Sequence, residues 1–136
     1  VLYGKSEVLY MEKDIALLAV GSMVETASDV RDKLKEKGYN VSLINARFVK
    51  PVDTTVIHRC ADNHQLLVTL EENVYTGGFG ERVCHYVEEA CLNIKVLNIS
   101  LPDDYVEHGN VEILKAEEGI NADSIITRVE SFYNNM

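Results

Sequence analysis

The stretch that decides the fold runs from Leu66 to Gly80 and reads LLVTLEENVYTGGFG. Its first part, Leu66–Leu70, is almost entirely apolar, which predicts a strand buried on both faces of a sheet. Two glutamates, Glu71 and Glu72, follow the strand and precede a glycine-rich turn into a helical pattern. Open α/β sheets bind their ligands at the carboxyl ends of the strands. We therefore expect this end of the strand to lie on the functional edge of the molecule.

Short apolar runs predict the other strands. Core strands are expected at Ile15–Val20, Val41–Asn45, Leu66–Leu70 and Val96–Ile99, and a shorter strand precedes them at Glu7–Met11. Because strands alternate with helical segments, the chain predicts an α/β fold, in which helices cover both faces of a mostly parallel sheet. Its 136 residues fit a single domain.

Capping residues predict where the helices begin and end. Ser22 and Glu25 have the spacing of a capping box, and Gly38 stands where a left-handed C-cap is expected. Asp53 is placed as the N-cap of a helix over Thr54–Ala61. A third helix follows the glycine-rich turn. Two more are predicted near the end of the chain: a short one that ends at Gly119, and a longer one that carries Ile125, Ile126, Val129 and Phe132.

The charge of the chain limits the partners that it can have. The net charge is -9, and no cluster of Lys and Arg interleaves with aromatic residues, so we expect neither nucleic acid nor an anionic membrane surface as a partner. Cys60, Cys84 and Cys91 are odd in number and lie in apolar patterns, which indicates reduced thiols in a cytoplasmic protein. Because the sequence opens with Val1 and not with methionine, we expect it to be a piece of a longer polypeptide.

Loops that follow parallel strands gather along one edge of a sheet, and here they define a candidate docking edge. The loops in question are Gly21–Ser22, Arg47–Pro51, Glu71–Gly80 and Leu101–Gly109. The residues that we expect to take part in docking are Arg47, Glu71, Glu72, Gly77, Gly78, Gly80 and His108.

The glutamate pair and the turn each have two interpretations. Successive side chains of an extended segment point to opposite faces, so Glu71 and Glu72 are not expected to form a close acid–base dyad. We expect instead a structural or interface ion pair, or a cap on the following helix. The turn TGGFG exposes backbone N–H groups that can hold an anion, but it matches neither the dinucleotide nor the P-loop fingerprint. Tight backbone packing is the other interpretation of the turn.

The histidines and cysteines do not form a complete catalytic or metal site in the sequence. Cys60 and His64 are expected near one helix end, but a metal site needs further ligands at a recognised spacing. His108 lies in a loop beside glycine and carboxylates, which favours a stabilising hydrogen bond over catalysis. Cys84 has no well-placed base. We therefore expect no catalytic, cofactor-binding or metal-binding residue in this chain.

Three motifs carry a family resemblance: NARFVKPVD at 45–53, LVTLEENVYTGGFG at 67–80 and VLNISLPDDYVEHG at 96–109. In this order and spacing they resemble the C-terminal domain of the 1-deoxy-D-xylulose-5-phosphate synthase family, one of the transketolase-like thiamine diphosphate enzymes. The resemblance implies a three-layer α/β/α sandwich around a five-stranded sheet, with the first strand antiparallel to the others.

The resemblance also implies a function for the longer protein. Such an enzyme condenses pyruvate with glyceraldehyde 3-phosphate with loss of CO₂, a step of isoprenoid and thiamine synthesis. Its thiamine diphosphate and Mg²⁺ would lie in upstream domains, so that this fragment would bind no cofactor and be inactive alone. Its partners would be those upstream domains and the second subunit of a homodimer. The alternatives are the C-terminal domain of a two-chain 2-oxoacid dehydrogenase subunit and a stand-alone anion-binding α/β module.

Overall fold

The computed structural model of the chain describes residues 6–21, 23–46, 53–71, 78–100 and 122–136. The strands are β1 (Glu7–Tyr10), β2 (Asp14–Ala19), β3 (Val41–Asn45), β4 (His64–Glu71) and β5 (Lys95–Ser100). The helices are α1 (Met23–Glu36), α2 (Thr54–Asn63), α3 (Phe79–Glu89) and α4 (Ala122–Asn134). Every predicted strand overlaps an observed one. The predicted Ser22 cap and the short helix ending at Gly119 lie outside the described residues.

The five strands form one sheet in the order β1-β3-β2-β4-β5. β1 pairs with β3 in the antiparallel sense, and the other neighbours are parallel. The direction of the first strand is therefore as the family resemblance implies. β2 and β4 are neighbours, but the chain leaves β2 towards β3 and leaves β4 towards β5. Their carboxyl ends consequently form the switch point of the sheet, where α/β proteins have a crevice.

Helices cover the sheet on both faces, and successive residues of a strand serve opposite cores. Leu17 of β2 belongs to the core under α1 and α4, which includes Leu34 and Ile125. Leu18, the next residue, belongs to the core under α2 and α3. This alternation is the period of an extended strand. The architecture is thus the expected three-layer α/β/α sandwich, and both faces of its central strands are buried.

Local capping signals have the effect that the sequence predicts. Oδ1 of Asp53 accepts a hydrogen bond from the backbone N–H of Val56 at 3.2 Å, so Asp53 is the N-cap of α2. Oδ2 of the same carboxylate accepts from the backbone N–H of Ser6 at 2.7 Å. Gly38 has a φ of 101°, the left-handed conformation expected after α1.

The last helix packs with the face that its periodicity predicts. Ile125, Ile126 and Val129 are buried, and Phe132 is partly buried against the same core. In the parts of the chain that the structure describes, no helix has the length and apolar character needed to cross a membrane.

Candidate functional site

The candidate docking edge is described in part by the structure. Glu71, Gly78 and Gly80 lie together where β4 ends and α3 begins, at the switch point between β2 and β4. The other candidate residues lie outside the described ranges, and their place on this edge stays a prediction. They are Arg47, Glu72, Gly77 and His108.

Glu71 caps the helix that follows its own strand. It is the last residue of β4 and only 6% exposed. Oε1 accepts a hydrogen bond from the backbone N–H of Phe79 at 2.9 Å, and Oε2 accepts from the N–H of Gly80. The first N–H groups of a helix have no acceptor within the helix, and a negative charge is favourable beside them. Of the two roles expected for the glutamates, an ion pair or a helix cap, the structure shows the helix cap for Glu71.

Gly78 stands at the N-cap of α3 and has no side chain with which to cap it. Its backbone is extended, and no side-chain cap bond comes from this position. The carboxylate of Glu71 supplies the missing acceptor from the sheet. The amides of Phe79 and Gly80 are thus already bonded within the chain, which counts against the stand-alone anion-binding alternative.

Gly80 is fixed by close packing against the sheet. A Cβ atom at this position would lie 2.7 Å from Oγ1 of Thr69 and 2.7 Å from Oδ1 of Asn98. Real Cβ atoms do not approach other atoms so closely, so a side chain here requires these groups to move. The tight-packing interpretation of the glycine-rich turn is therefore confirmed at Gly80.

The polar residues beneath α3 were not predicted from the sequence. Oγ1 of Thr69 donates a hydrogen bond to Oδ1 of Asn98 at 2.6 Å, and Nδ2 of Asn98 lies 3.2 Å from Sγ of Cys84. Thr69 and Asn98 are register partners on β4 and β5. The signal in the sequence is one polar residue in the middle of each apolar run. Cys84 is thus in contact with the side-chain amide of Asn98.

A buried histidine at the opposite end of β4 was also missed. Nδ1 of His64 lies 2.9 Å from the carbonyl oxygen of Cys60. Because a carbonyl oxygen only accepts hydrogen bonds, Nδ1 carries a proton and is the donor. In the neutral ring, Nε2 accepts from the hydroxyl of Ser42 at 2.8 Å, while Oγ of Ser42 accepts from the N–H of Glu12 at 2.6 Å. Burial lowers the pKa of His64, against the opposing effects of the Cys60 carbonyl and the charge of Asp14.

The predicted proximity of Cys60 and His64 is confirmed, but it does not make a metal site. The contact uses the backbone of Cys60, and both ring nitrogens of His64 are engaged by the protein. Burial raises the pKa of the Cys60 thiol to about 12, which disfavours the thiolate that a metal would bind. No group of His, Cys, Asp and Glu in the described ranges could hold a metal ion.

A cluster of charged side chains joins α1 to the connection between β1 and β2. Glu12 forms ion pairs with Lys35 and Arg31. The hydrogen bond from Lys35 lowers the pKa of Glu12 most, and the hydrogen bond from Arg31 lowers it further. Burial has the opposite effect, but the pKa stays below its usual value. Arg31 is 9% exposed and lies with its guanidinium 3.8 Å from the centre of the Tyr10 ring. This cluster lies away from the candidate docking edge and is structural.

Comparison with protein families gives a match over most of the chain. Residues 4–125 match the family described as "Transketolase, C-terminal domain". The 1-deoxy-D-xylulose-5-phosphate synthase of Lachnoclostridium phytofermentans is 46% identical over 130 residues, and that of Clostridium tetani is 40% identical over 126 residues. These alignments cover 95% and 93% of this chain but 21% and 20% of the two relatives. The chain thus spans about a fifth of the length of these curated relatives.

Solved structures share the fold. A split gene transketolase, described as an inactive beta4 tetramer, matches with a TM-score of 0.83 and 25% identity over 96% of this chain and 43% of its own. The 2-oxoglutarate:ferredoxin oxidoreductase from Magnetococcus marinus matches with a TM-score of 0.64 and 16% identity, over 96% of this chain and 20% of its own. The second likeness concerns the fold alone.

Proposed function

Because the chain belongs to the transketolase C-terminal domain family, we propose that it is the C-terminal assembly domain of a 1-deoxy-D-xylulose-5-phosphate synthase. The observation that carries this proposal is the 46% identity to such a synthase along 95% of the chain. The matched synthases are much longer than this chain, so the activity belongs to a protein of which the chain is a part.

The longer protein would be a cytoplasmic transferase of isoprenoid and thiamine synthesis. It would condense pyruvate with glyceraldehyde 3-phosphate, release CO₂, and use thiamine diphosphate and Mg²⁺. The described residues do not fit these cofactors. The first amides of α3 are bonded to Glu71, and no cluster of metal ligands occurs in the described ranges. We accordingly assign the cofactors to upstream domains and derive no catalytic step for this chain.

The part that this domain plays would be assembly. In this proposal the candidate docking edge contacts the upstream domains and the second subunit of a homodimer. Glu71, Gly78 and Gly80 support this assignment because they lie where hydrogen bonds and close packing join β4 to α3. The partner contacts themselves would come from the remaining candidate residues, which are Arg47, Glu72, Gly77 and His108.

An assay of two proteins tests the proposal. The full-length protein and the 136-residue chain are each incubated with pyruvate, glyceraldehyde 3-phosphate, thiamine diphosphate and Mg²⁺, and formation of 1-deoxy-D-xylulose 5-phosphate is measured. We expect turnover by the full-length protein, loss of turnover when thiamine diphosphate is omitted, and none by the chain alone. Turnover by the chain would contradict its role as an assembly domain.

A second candidate function is that of the C-terminal domain of a two-chain 2-oxoacid dehydrogenase subunit. The match to a split gene transketolase favours its two-chain arrangement, since that protein's name describes a transketolase divided between genes. The sequence encoded upstream of Val1 distinguishes the two functions. A thiamine diphosphate motif on the same polypeptide supports the synthase, and an upstream sequence that lacks this motif supports the two-chain enzyme.

A further inference from the structure

We propose that Glu71 is a positioning residue that acts as the built-in anion of the α3 N-terminus. Its carboxylate holds the helix on the sheet and occupies the position that an external anion would otherwise take at the switch point. The inference concerns the folding and ligand selectivity of this domain and does not depend on the proposed function.

The bonding pattern is the first argument. Each oxygen of the Glu71 carboxylate serves a different amide, Oε1 that of Phe79 and Oε2 that of Gly80. Two parallel N–H donors with one carboxylate are the arrangement by which helix N-termini bind anions. Gly78, at the N-cap, contributes no side-chain bond. The negative charge at the start of α3 therefore comes from the chain itself, from the last residue of β4.

The position of the carboxylate is the second argument. Glu71 is only 6% exposed and ends a strand whose neighbour, β2, connects in the opposite direction. A crevice at such a point is the usual binding site of an open α/β sheet. Here the packing beside Gly80 is so close to Thr69 and Asn98 that one added carbon would overlap them. Among the described residues, the start of α3 thus contacts both the carboxylate of Glu71 and closely packed side chains of the sheet.

Chemical rescue tests the proposal. Glu71→Ala removes a CH₂–COO⁻ group, which is the size of acetate, and leaves the amides of Phe79 and Gly80 without an acceptor. In the variant we expect both amide proton resonances to move upfield and the urea unfolding midpoint to fall. Acetate should restore both readouts in part, whereas chloride at the same ionic strength should not.

Two controls separate this effect from a general charge effect. Glu88→Ala removes the same charge from an exposed position of the same helix, and it should show no difference between acetate and chloride. The wild-type amides of Phe79 and Gly80 should not respond to acetate or inorganic phosphate, because their acceptor is already present. A phosphate-dependent shift of these two amides in the wild type would overturn the proposal.

If Glu71→Ala does not fold, a milder substitution tests whether the carboxylate anchors the helix. Glu71→Gln keeps the shape of the side chain, but its NH₂ group faces one of the two amide donors. We expect one amide resonance to keep its position and the other to move upfield. Wild-type positions for both amides in Glu71→Gln, or equal effects of acetate and chloride on folded Glu71→Ala, would show that the carboxylate is not the anchor.

Discussion

Glycine at position 80 is required by its contacts with two side chains of the sheet. We expect Gly80→Ala to lower the free energy of unfolding by about 1–2 kcal/mol. Overpacking costs about 1–3 kcal/mol, and the better helix propensity of alanine returns about 0.5–1 kcal/mol. Urea unfolding of the variant measures the difference.

The contact partner of Gly80 offers a matched control. Asn98→Ala removes Oδ1 and Cγ, two of the three atoms that a Cβ would meet. Gly80→Ala should therefore cost less in the Asn98→Ala background than in the wild type, as a double-mutant cycle measures. Equal costs in both backgrounds would mean that the predicted overlap with Asn98 does not determine the effect.

The choice between two adjacent glutamates is also settled at the scale of the residue. Glu71 shares a strand face with Leu67, whose side chain belongs to the core under α2 and α3. That face is the one against which α3 packs, so Glu71 can reach the helix start. Sequence alone leaves a helix cap as one alternative to an ion pair, and choosing the glutamate that caps requires the face that α3 covers.

The hydrogen bonds of His64 connect several elements, and we expect this histidine to make the stability of the fold depend on pH. Its hydrogen bonds join β4 to β3, to the end of α2 and to the β1–β2 connection. Because burial lowers the pKa of His64 below 6.5, the unfolded chain binds a proton that the folded chain resists. We expect the free energy of unfolding to decrease as the pH falls from about 8 to about 5.

Two variants identify the group responsible for this decrease. His64→Gln should flatten the slope over that range, although it also lowers stability at neutral pH. His85→Gln replaces an exposed histidine that lies 3.5 Å from Glu89, and it should keep the wild-type slope. Urea unfolding at several pH values measures both, and an unchanged slope in His64→Gln would assign the effect to another group.

The elements differ in how far the sequence can predict them. Buried strands and the Asp53 cap are local signals, and the structure confirms them. The Thr69–Asn98 pair requires the register between β4 and β5, which lies in neither strand alone. The antiparallel direction of β1 came from the family resemblance, because a four-residue strand does not encode its own direction. The pairing of strands that are distant in sequence is thus what the sequence pattern does not predict.

At the scale of the whole molecule, the proposed docking edge makes a prediction for the full-length protein. Glu72→Ala should weaken the proposed homodimer by about 1 kcal/mol, the loss expected if Glu72 forms an ion pair at the surface of the interface. The salt dependence of association should decrease with it, because salt screens such pairs. Sedimentation velocity at low and moderate salt measures both effects.

The control for this prediction lies on the helix that follows the turn. Glu88 is an exposed glutamate near the end of α3, away from the switch point. Glu88→Ala removes the same charge and should leave the dimer unchanged. A sedimentation profile of Glu72→Ala identical to that of the wild type would remove Glu72 from the proposed interface.

The carboxylate of Asp53 couples two distant parts of the chain mechanically. One oxygen holds the start of α2, and the other holds the backbone of Ser6, just before β1. A pulling force on the chain before Ser6 therefore acts on the first turn of α2 as well as on the hydrogen bonds between β1 and β3. We therefore expect a displacement of the amino-terminal end to reach α2 through the Asp53 carboxylate as well as through the sheet.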